Sequence, residues 1–340
     1  MVFARLKSRL KGGGVDAALF LGEDSHFRYL VGRQMHGAVL IVPVKGNVVL
    51  LHSPLERPVV AGIVSRQVRW PQMDVRGILV EMGVNAVGVS LDRLPAKLYV
   101  ALRRGSRVVD IDKIMWGMRM IKTPIEQRLM RKVCRLTDRL FSEIVAQRGF
   151  RRESDIVLFI RHRAIDWHCE LSFESIVATH RHAAVPHYEG DGPLRGGFLL
   201  MDFGLRLNGY CSDMTRTVHL GRPSAEHRAV YERLRVIQQD AIDMVRPRVV
   251  PADIDRAVRG AMGADAKFFI HGLGHGLGVD AHEPPGIGGR SGEPLRKGMI
   301  ITIEPGRYRG FGIRIEDDVL VDSPREVLTR SSKRLITLTW

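Results

Sequence analysis

The stretch Leu199–His219, LLMDFGLRLNGYCSDMTRTVH, places the strongest constraint on how this 340-residue chain can fold. At its centre lies Asn208-Gly209, a dipeptide that strongly favours a two-residue turn between two antiparallel strands. A turn at this point places Asp202 opposite Thr215 and Asp213 opposite Gly204. Because successive side chains of a strand point to opposite faces, the two aspartates are expected on one face, diagonally about 7–8 Å apart.

Two carboxylates on one face beside an apolar run are unfavourable unless a positive charge lies between them. A divalent metal ion is the simplest such charge. The alternative is a solvent-exposed hairpin that carries two ordinary acids, and this segment alone leaves both interpretations open.

The composition is that of a globular protein with one large domain or two, since 45% of the residues are hydrophobic and 26% are charged. The three cysteines, an odd number without C-x-x-C spacing, argue against a disulfide framework and a cysteine zinc site and favour a reducing cytoplasm. We expect no targeting segment or membrane span at the start, because the apolar run Val15–Leu21 is short and contains Asp16. The net charge of +15 is scattered without a nucleic-acid motif, so we expect a solvated basic surface and no nucleic-acid partner.

The first part of the chain, residues 1–118, alternates strand-like and helical segments, which predicts an α/β domain. An amphipathic helix is expected over residues 1–11, before Gly12-Gly13-Gly14. The expected strands are Ala17–Leu21, Ala38–Val42 and Asn47–Leu51, the last two as a hairpin, and Asn85–Ser90. Helices are expected near Leu55–Ser65 and Leu94–Arg104.

A second domain, residues 119–340, is predicted to begin just before Thr123-Pro124-Ile125-Glu126. This tetrapeptide has the pattern of a capping box with proline at the first helical position, so a helix should run from here to about Gln147. Further expected elements are a helix capped by Ser154, a strand at Phe173–Ala178, a helix from Ser224 to about Val245, and a helix at Pro251–Ala261.

The stretch Phe268–Glu283, FFIHGLGHGLGVDAHE, combines three histidines with alternating glycines. His271 and His275 are four residues apart, as in zinc-binding helices. Each intervening glycine costs about 1 kcal/mol in a helix, however, which makes a helix implausible. An extended glycine-rich segment lets the backbone approach a ligand closely, and packing does not easily explain His271, His275 and His282.

Two glutamates end or interrupt apolar strands in the last part of the chain. In the segment Met299–Gly306 an apolar strand is expected to end in Glu304, before Pro305-Gly306, and Glu316 lies within the expected strand Gly312–Val321. A buried glutamate needs a partner such as a metal ion or an arginine. With Asp202, Asp213 and His275 they form a set of four carboxylates and one imidazole without sulfur, which is typical of a dinuclear site for Mn, Co, Zn or Fe.

These motifs together resemble the signature of the pita-bread metallopeptidases, which include prolidase, Xaa-Pro aminopeptidase, methionine aminopeptidase and the creatinase relatives. The matching segments are MDFGLRLNGYCSDMTRT, HGLGHGLGVDAHE, ITIEPG and GIRIEDD, together with Val185-Pro186-His187. The likeness is close over residues 120–330 and looser over residues 1–115. It implies a pita-bread catalytic domain of α+β type, preceded by a smaller creatinase-like N-terminal α/β domain.

The resemblance also implies a role for each site residue. Asp202 would bind one ion, Asp213 and Glu316 would bridge two divalent ions, and His275 and Glu304 would complete the second site. Mn or Co is the expected metal, with Zn or Fe as alternatives. Glu304 would also assist proton transfer, and His187 and His282 would stabilise the developing oxyanion. His271 and Arg314 would line the substrate pocket, unless Arg314 only positions Glu316.

The function implied is hydrolysis of Xaa-Pro bonds in di- or oligopeptides by a cytoplasmic enzyme, with a homodimer expected from the resemblance alone. Two alternatives stay open: a methionine aminopeptidase or creatinase-type C–N hydrolase, and a binding module that keeps the pita-bread fold without catalysis. The sequence departs from the prolidase pattern at one point. Several prolidases carry an arginine shortly after a His-Glu pair, whereas here His282-Glu283 is followed by Gly286 in that neighbourhood, and Arg290 lies further along the chain.

Overall fold

The computed structural model describes residues 2–56, 63–68 and 74–339. Contacts within the chain divide it into two units, Met1–Arg119 and Met120–Trp340. Within the described residues, no helix combines the length and apolar character that crossing a bilayer requires.

The unit Met1–Arg119 contains one six-stranded mixed sheet. Its strands are β1 (Ala17–Leu21), β2 (Val39–Pro43), β3 (Val48–His52), β4 (Ile63–Gln67), β5 (Ala86–Val89) and β6 (Arg107–Asp110), in the order β4-β3-β2-β1-β5-β6. The helices are α1 (Val2–Gly12), α2 (Ser25–Val31), α3 (Val75–Glu81), α4 (Ala96–Arg103) and α5 (Asp112–Arg119). Strands β1 and β2 are almost entirely buried, because apolar side chains cover both faces of the sheet.

The prediction of a helix near Leu55–Ser65 is wrong for its last three residues, 63–65, which lie in a strand. Ile63–Gln67 form strand β4, which pairs in parallel with β3 in the register Val48↔Ile63. Residues 57–62 lie outside the described residues. The open edge of β3 offers unpaired backbone groups, and pairing with them outweighs the local preference of this polar segment.

The unit Met120–Trp340 begins with two helices, α6 (Pro124–Ala146) and α7 (Glu153–Asp166). The capping box at the start of α6 is confirmed, since Thr123 and Glu126 exchange hydrogen bonds. The prediction that Ser154 caps α7 is wrong, because the helix already begins at Glu153. Carboxylates satisfy its free amides instead: Asp191 accepts from Ser154 N–H at 3.0 Å, and Asp155 accepts from Arg152 N–H at 2.9 Å.

The predicted hairpin register is confirmed where the strands pair, whereas Gly204 and Asp213 lie between the paired stretches and belong to no strand. Strands β9 (Gly197–Phe203) and β12 (Met214–Leu220) pair with Asp202 opposite Thr215. Their continuations β10 (Leu205–Leu207) and β11 (Tyr210–Cys211) flank the turn, where Asn208 has φ 51° and Gly209 has φ 82°. These positive φ values are those of the turn type that matches strand twist. Strand β9 also pairs with β8 (Ile176–Thr179).

Helices α8 (Ala225–Met244) and α9 (Pro251–Met262) follow, and then a five-stranded sheet. Its order is β14-β13-β15-β18-β19, with β13 (Gly274–Gly276), β14 (Glu283–Ile287), β15 (Ile300–Ile303), β18 (Asp317–Leu320) and β19 (Glu326–Val327). Strands β16 (Gly306–Arg309) and β17 (Phe311–Arg314) form a separate hairpin. The short strand β7 (Glu170–Leu171) joins β10, and β20 (Thr337–Leu338) joins β12.

The single strand predicted over Gly312–Val321 is two strands, and the break falls at Ile315-Glu316. Strand β17 pairs with β16, whereas β18 pairs with β15, so the chain changes partner between them. At the break, Glu316 N–H donates to the carbonyl of Thr215 at 3.1 Å. This contact brings Glu316 against the hairpin that carries the two aspartates.

Candidate metal centre and active site

A cavity of about 840 Å³ in the unit Met120–Trp340 is lined by all nine side chains that the sequence singles out. They are Asp202, Asp213, His275, Glu304 and Glu316, the predicted metal ligands, and His187, His271, His282 and Arg314. Six of the nine come from segments between residues 271 and 316, and the other three come from the hairpin and the loop before it. The structure therefore brings all nine side chains to the lining of one cavity.

Three of the predicted ligands have the closest arrangement. Asp213, His275 and Glu316 each offer one atom, and these atoms all lie within 4.8 Å of one another. His275 Nε2 lies 3.7 Å from Asp213 Oδ2 and 3.5 Å from Glu304 Oε1. One imidazole thus faces two carboxylates, Asp213 just before β12 and Glu304 just after β15, which is the donor set of a divalent transition-metal ion.

The strand that carries His275 explains the glycines around it. A Cβ at Gly274 would lie 2.2 Å from the carbonyl oxygen of Thr302, and one at Gly276 would lie 2.4 Å from that of Pro284. Only glycine therefore allows β13 to fit between β14 and β15. His275 N–H donates to Thr302 Oγ1 at 3.0 Å, and its Nδ1 lies 3.0 Å from its neighbour's carbonyl oxygen, that of Gly276. The second contact leaves Nε2 facing the carboxylates.

The cavity concentrates negative charge in a buried place. Burial, with the repulsion of Glu316 and Asp202, raises the pKa of Asp213 well above its ordinary value. The pKa of Glu304 rises to about 8, chiefly through burial, although the nearby Arg314 cation opposes the rise. Burial and the neighbouring carboxylates also raise the pKa of Glu316. The chain alone therefore destabilises these anions, and a bound cation would stabilise them.

An unpartnered oxygen supports the same conclusion. Asp202 is buried and accepts a hydrogen bond from Arg314 at its Oδ2, with a distance of 2.5 Å. Its Oδ1 is buried and has no hydrogen-bond partner within the described part of the chain. A buried carboxylate oxygen without a donor is unfavourable, so the residues present fit a metal-binding site.

Arg314 connects Asp202 to the histidine side of the cavity. Its guanidinium donates to Asp202, to Thr215 Oγ1 at 2.9 Å and to Tyr308 Oη at 3.0 Å. Tyr308 Oη in turn lies 2.8 Å from Nε2 of His271. Among the described residues no hydrogen bond or ion pair joins Arg314 to Glu316; Thr215 Oγ1 links them, since it accepts from Arg314 and donates to Glu316 at 2.6 Å.

The two remaining histidines lie at the mouth of the cavity. His187 and His282 are exposed, and the ring of His282 lies 4.2 Å from the ring of His275. Partial burial lowers the pKa of His282. Burial and the Arg314 charge lower the pKa of His271 to about 4, so this ring is neutral at physiological pH.

Sequence reasoning missed the buried residues that surround the candidate ligands. Asp317 and Asp318 follow Glu316 directly, and both are fully buried. Asp318 Oδ2 accepts from Asp213 N–H at 3.0 Å. Asp317 pairs with Arg216, whose guanidinium also donates to the carbonyl of Glu316. The sequence did contain a signal for them: three successive acids, Glu316 to Asp318, precede the apolar run Val319–Val321. Acids next to a buried apolar run need cationic or hydrogen-bonding partners inside the protein.

Comparison with known proteins agrees with this geometry. Residues 128–323 match the model of metallopeptidase family M24, and residues 3–121 match that of the creatinase/prolidase N-terminal domain. An uncharacterized peptidase of Staphylococcus epidermidis is 36% identical over 236 residues, which are 66% of this chain and 66% of that relative. The crystal structure of a dipeptidase from Pyrococcus horikoshii has a TM-score of 0.90 at 31% identity and covers 99% of this chain and 100% of its own. A Xaa-Pro dipeptidase from Bacillus anthracis has a TM-score of 0.89 at 27% identity, with 99% of each chain covered. These matches confirm the predicted fold class and the resemblance to the pita-bread metallopeptidases.

Proposed function

The chain belongs to metallopeptidase family M24, and from this membership we propose that it hydrolyses Xaa-Pro peptide bonds with two bound divalent metal ions. The observation that carries the proposal is the convergence of four carboxylates and one imidazole in a single buried cavity. We propose Asp202, Asp213, His275, Glu304 and Glu316 as the metal ligands, with Mn or Co as the expected metal and Zn or Fe as alternatives. Four carboxylates offset the charge of two divalent ions, which supports a dinuclear site.

The metal ions would supply the Lewis acidity that makes water a nucleophile at neutral pH. The chain itself would bind the peptide, hold it in place and move protons. Glu304 is the candidate for proton transfer, because its carboxylate lies in the cavity 3.5 Å from His275 and the family resemblance gives that position this role. Without an ion, burial raises its pKa to about 8. Metal binding would return it to its anionic form.

His187 and His282 are the candidates for stabilising negative charge on the scissile carbonyl oxygen. Both line the mouth of the cavity, where a peptide bond would enter. An imidazole N–H aimed at that oxygen stabilises charge that develops only in the transition state. Arg314 would hold Asp202 in position through their buried ion pair, and His271, fixed by Tyr308, would line the substrate pocket.

The Xaa-Pro preference is the finer part of the proposal. A bond before proline is a tertiary amide without N–H and with a fixed φ angle. Peptidases that hold an extended backbone through its N–H groups bind it poorly, so a dedicated pocket is needed. The neighbour from Bacillus anthracis carries the name Xaa-Pro dipeptidase, which supports a dipeptide or short oligopeptide substrate.

A homodimer and a cytoplasmic location are further parts of this proposal. The family resemblance supports the dimer. The location is supported by the three cysteines, Cys134, Cys169 and Cys211, all of which are free thiols. Light scattering at micromolar concentration tests the dimer, and a monomer mass would contradict it.

Metal analysis and substrate competition test the central claim. Elemental analysis of the purified protein should give two divalent ions for each chain, and chelation should abolish hydrolysis that Mn or Co restores. The assay compares Ala-Pro, Met-Pro and Met-Ala-Ser under the same conditions. Cleavage of Met-Ala-Ser without cleavage before proline would favour a methionine aminopeptidase, and hydrolysis of creatine alone would favour a creatinase-type enzyme. A protein that binds no metal and cleaves nothing would be a binding module.

A further inference from the structure

The loop that connects β8 to β9, residues 180–196, carries two side chains of the candidate active site. His187 and Tyr188 are neighbours in this loop, and both line the cavity. The first residue of the loop, His180, has a φ of 53°, in the left-handed region that residues other than glycine rarely adopt. Such a conformation persists only where surrounding contacts fix the chain. The position of His187 therefore depends on the contacts that hold this loop.

Glu153, the first residue of α7, contacts the loop near both of its ends. Its side chain is buried, and its Oε1 accepts from Thr179 N–H at 2.7 Å and from Thr179 Oγ1 at 3.0 Å. Thr179 is the last residue of β8, directly before the loop. The backbone N–H of Glu153 donates to the carbonyl oxygen of Gly192 at 2.9 Å. One residue of α7 thus fixes the start of the loop and a point close to its end.

His182 adds a contact from within the loop to the same carboxylate. Its Nδ1 lies 2.9 Å from Oε1 and 3.1 Å from Oε2 of Glu153. Because an ionised carboxylate only accepts hydrogen bonds, Nδ1 of His182 carries a proton and donates it to this contact. The bond is charge-assisted and involves a buried carboxylate, although the His182 side chain itself is 40% exposed. Glu153 therefore also fixes the ring of His182.

The ring of His182 is stacked on the ring of Tyr188. The two ring centroids are 4.4 Å apart, and the planes differ by 16°. Tyr188 directly follows His187 in the chain, so a fixed Tyr188 ring restricts the backbone that carries the His187 imidazole. Among the described residues that line the cavity, His182 is absent. It therefore contacts the cavity wall from behind, through Tyr188.

We propose that His182, held by Glu153, is a positioning residue that keeps Tyr188 and the adjoining His187 in the orientation required to stabilise the oxyanion. The inference rests on the proposed function, because His187 has an oxyanion to stabilise only if the chain hydrolyses a peptide bond. A group that acts in the transition state must be held in place before the reaction, and a displacement of about 1 Å costs up to about 100-fold in rate. His182 supplies this restraint without touching the substrate.

The first test separates the two contacts of His182 by kinetics on Ala-Pro at saturating Mn. His182→Ala removes both contacts, His182→Asn keeps an N–H donor for Glu153 without a ring, and His182→Phe keeps the ring without a donor. Arg181→Gln is the matched control, since Arg181 is the exposed neighbour in the same loop. We expect kcat of His182→Ala to fall by roughly 10- to 100-fold with KM almost unchanged, because the restraint acts on a group used in the transition state.

The other variants and the metal content complete this test. His182→Asn and His182→Phe should have kcat values between those of His182→Ala and the wild type, and Arg181→Gln should match the wild type. Elemental analysis should give the same metal content for all of them. Wild-type kcat in His182→Ala, or a higher KM with kcat unchanged, would overturn the inference. Wild-type kcat in His182→Phe would overturn the part that assigns the restraint to Glu153.

A double variant tests whether His182 acts through His187. A positioning residue has no further effect once the residue that it positions is gone. His182→Ala combined with His187→Ala should therefore have the same kcat as His187→Ala alone. Losses that multiply in the double variant would show two independent effects and would overturn the inference.

Hydrogen exchange separates this inference from the proposed function, because it requires no turnover. The amides of residues 180–192 are followed by mass spectrometry in the Mn-loaded full chain. His182→Ala should accelerate their exchange by roughly tenfold, as for the loss of one hydrogen bond to a charged group, and leave α8 unchanged. This result supports the restraint even if no Xaa-Pro peptide is cleaved. Exchange in His182→Ala equal to that of the wild type and Arg181→Gln would overturn the inference while leaving Xaa-Pro hydrolysis intact.

Discussion

Replacing Asp317 with alanine should destabilise the unit Met120–Trp340 strongly, because this residue is the centre of a buried ionic network. Its Oδ1 accepts from Arg216 at 2.5 Å and from Thr329 Oγ1 at 2.9 Å. Its Oδ2 accepts from Gln238 Nε2 at 3.0 Å and lies 3.0 Å from Lys333 Nζ. The side chains of Arg216 and Asp317 are 1% and 0% exposed, so water cannot replace the lost carboxylate.

The magnitude follows from this burial. Removing one partner of a buried ion pair costs about 3–5 kcal/mol, because the other charge stays buried without compensation. For a folding unit of this size, 1 kcal/mol shifts the melting temperature by about 2–4 °C. We therefore expect the transition of this unit to move down by roughly 6–20 °C.

Calorimetry and urea denaturation at neutral pH measure the effect on the full chain, with and without added Mn. The control is Asp243→Ala, which removes the half-exposed pair with Arg325 and should cost no more than about 1 kcal/mol. The double variant Arg216→Met with Asp317→Leu removes both charges and should recover part of the loss. Two results would refute this account of the network. One is wild-type stability of Asp317→Ala; the other is a double variant whose loss of unfolding free energy equals the sum of the losses for Arg216→Met and Asp317→Leu measured separately.

Three further predictions concern the candidate site and its surroundings. Asp213→Asn should lower kcat by orders of magnitude at saturating Mn while circular dichroism stays native, because the carboxylate that we propose as a bridge between two ions loses its charge. Wild-type turnover would show that Asp213 is no ligand. His187→Ala and His282→Ala should retain two ions by elemental analysis yet lose turnover, and loss of an ion from either variant would contradict an oxyanion role. His219 lies outside the site, and burial, with repulsion from His227, lowers its pKa. Since the unfolded His219 gains a proton below about pH 6.5 and the folded one does not, stability should fall as the pH drops from 7 to 5. His219→Gln should reduce that slope when measured at saturating metal, and an unchanged slope would contradict the assignment.

Local chemistry allowed much of the hairpin and of the glycine-rich strand to be predicted. The Asn208-Gly209 turn fixes the register of both strands by itself, so the position of Asp202 opposite Thr215 follows from the sequence. The alternating glycines exclude a helix around His275, and the structure has strand β13 there. In both cases the decisive preference lies within a few residues of the feature.

The parts that could not be predicted depend on distant partners. The break at Ile315-Glu316 exists because β17 and β18 pair with different strands, which no pattern within Gly312–Val321 reveals. Arg216 is 101 residues from Asp317 in the chain. Strand β4 likewise forms because β3 has an open edge, and its own residues do not indicate it.

The two glycines that flank His275 set a limit on how this enzyme can be redesigned. At Gly274 and Gly276 any added side chain would collide with the backbone of a neighbouring strand. A mutant library meant to change the substrate range should therefore leave these two codons untouched. Its diversity belongs at exposed positions that line the cavity away from the candidate ligands, such as Glu189, where a new side chain meets solvent before it meets the strands beside the metal site.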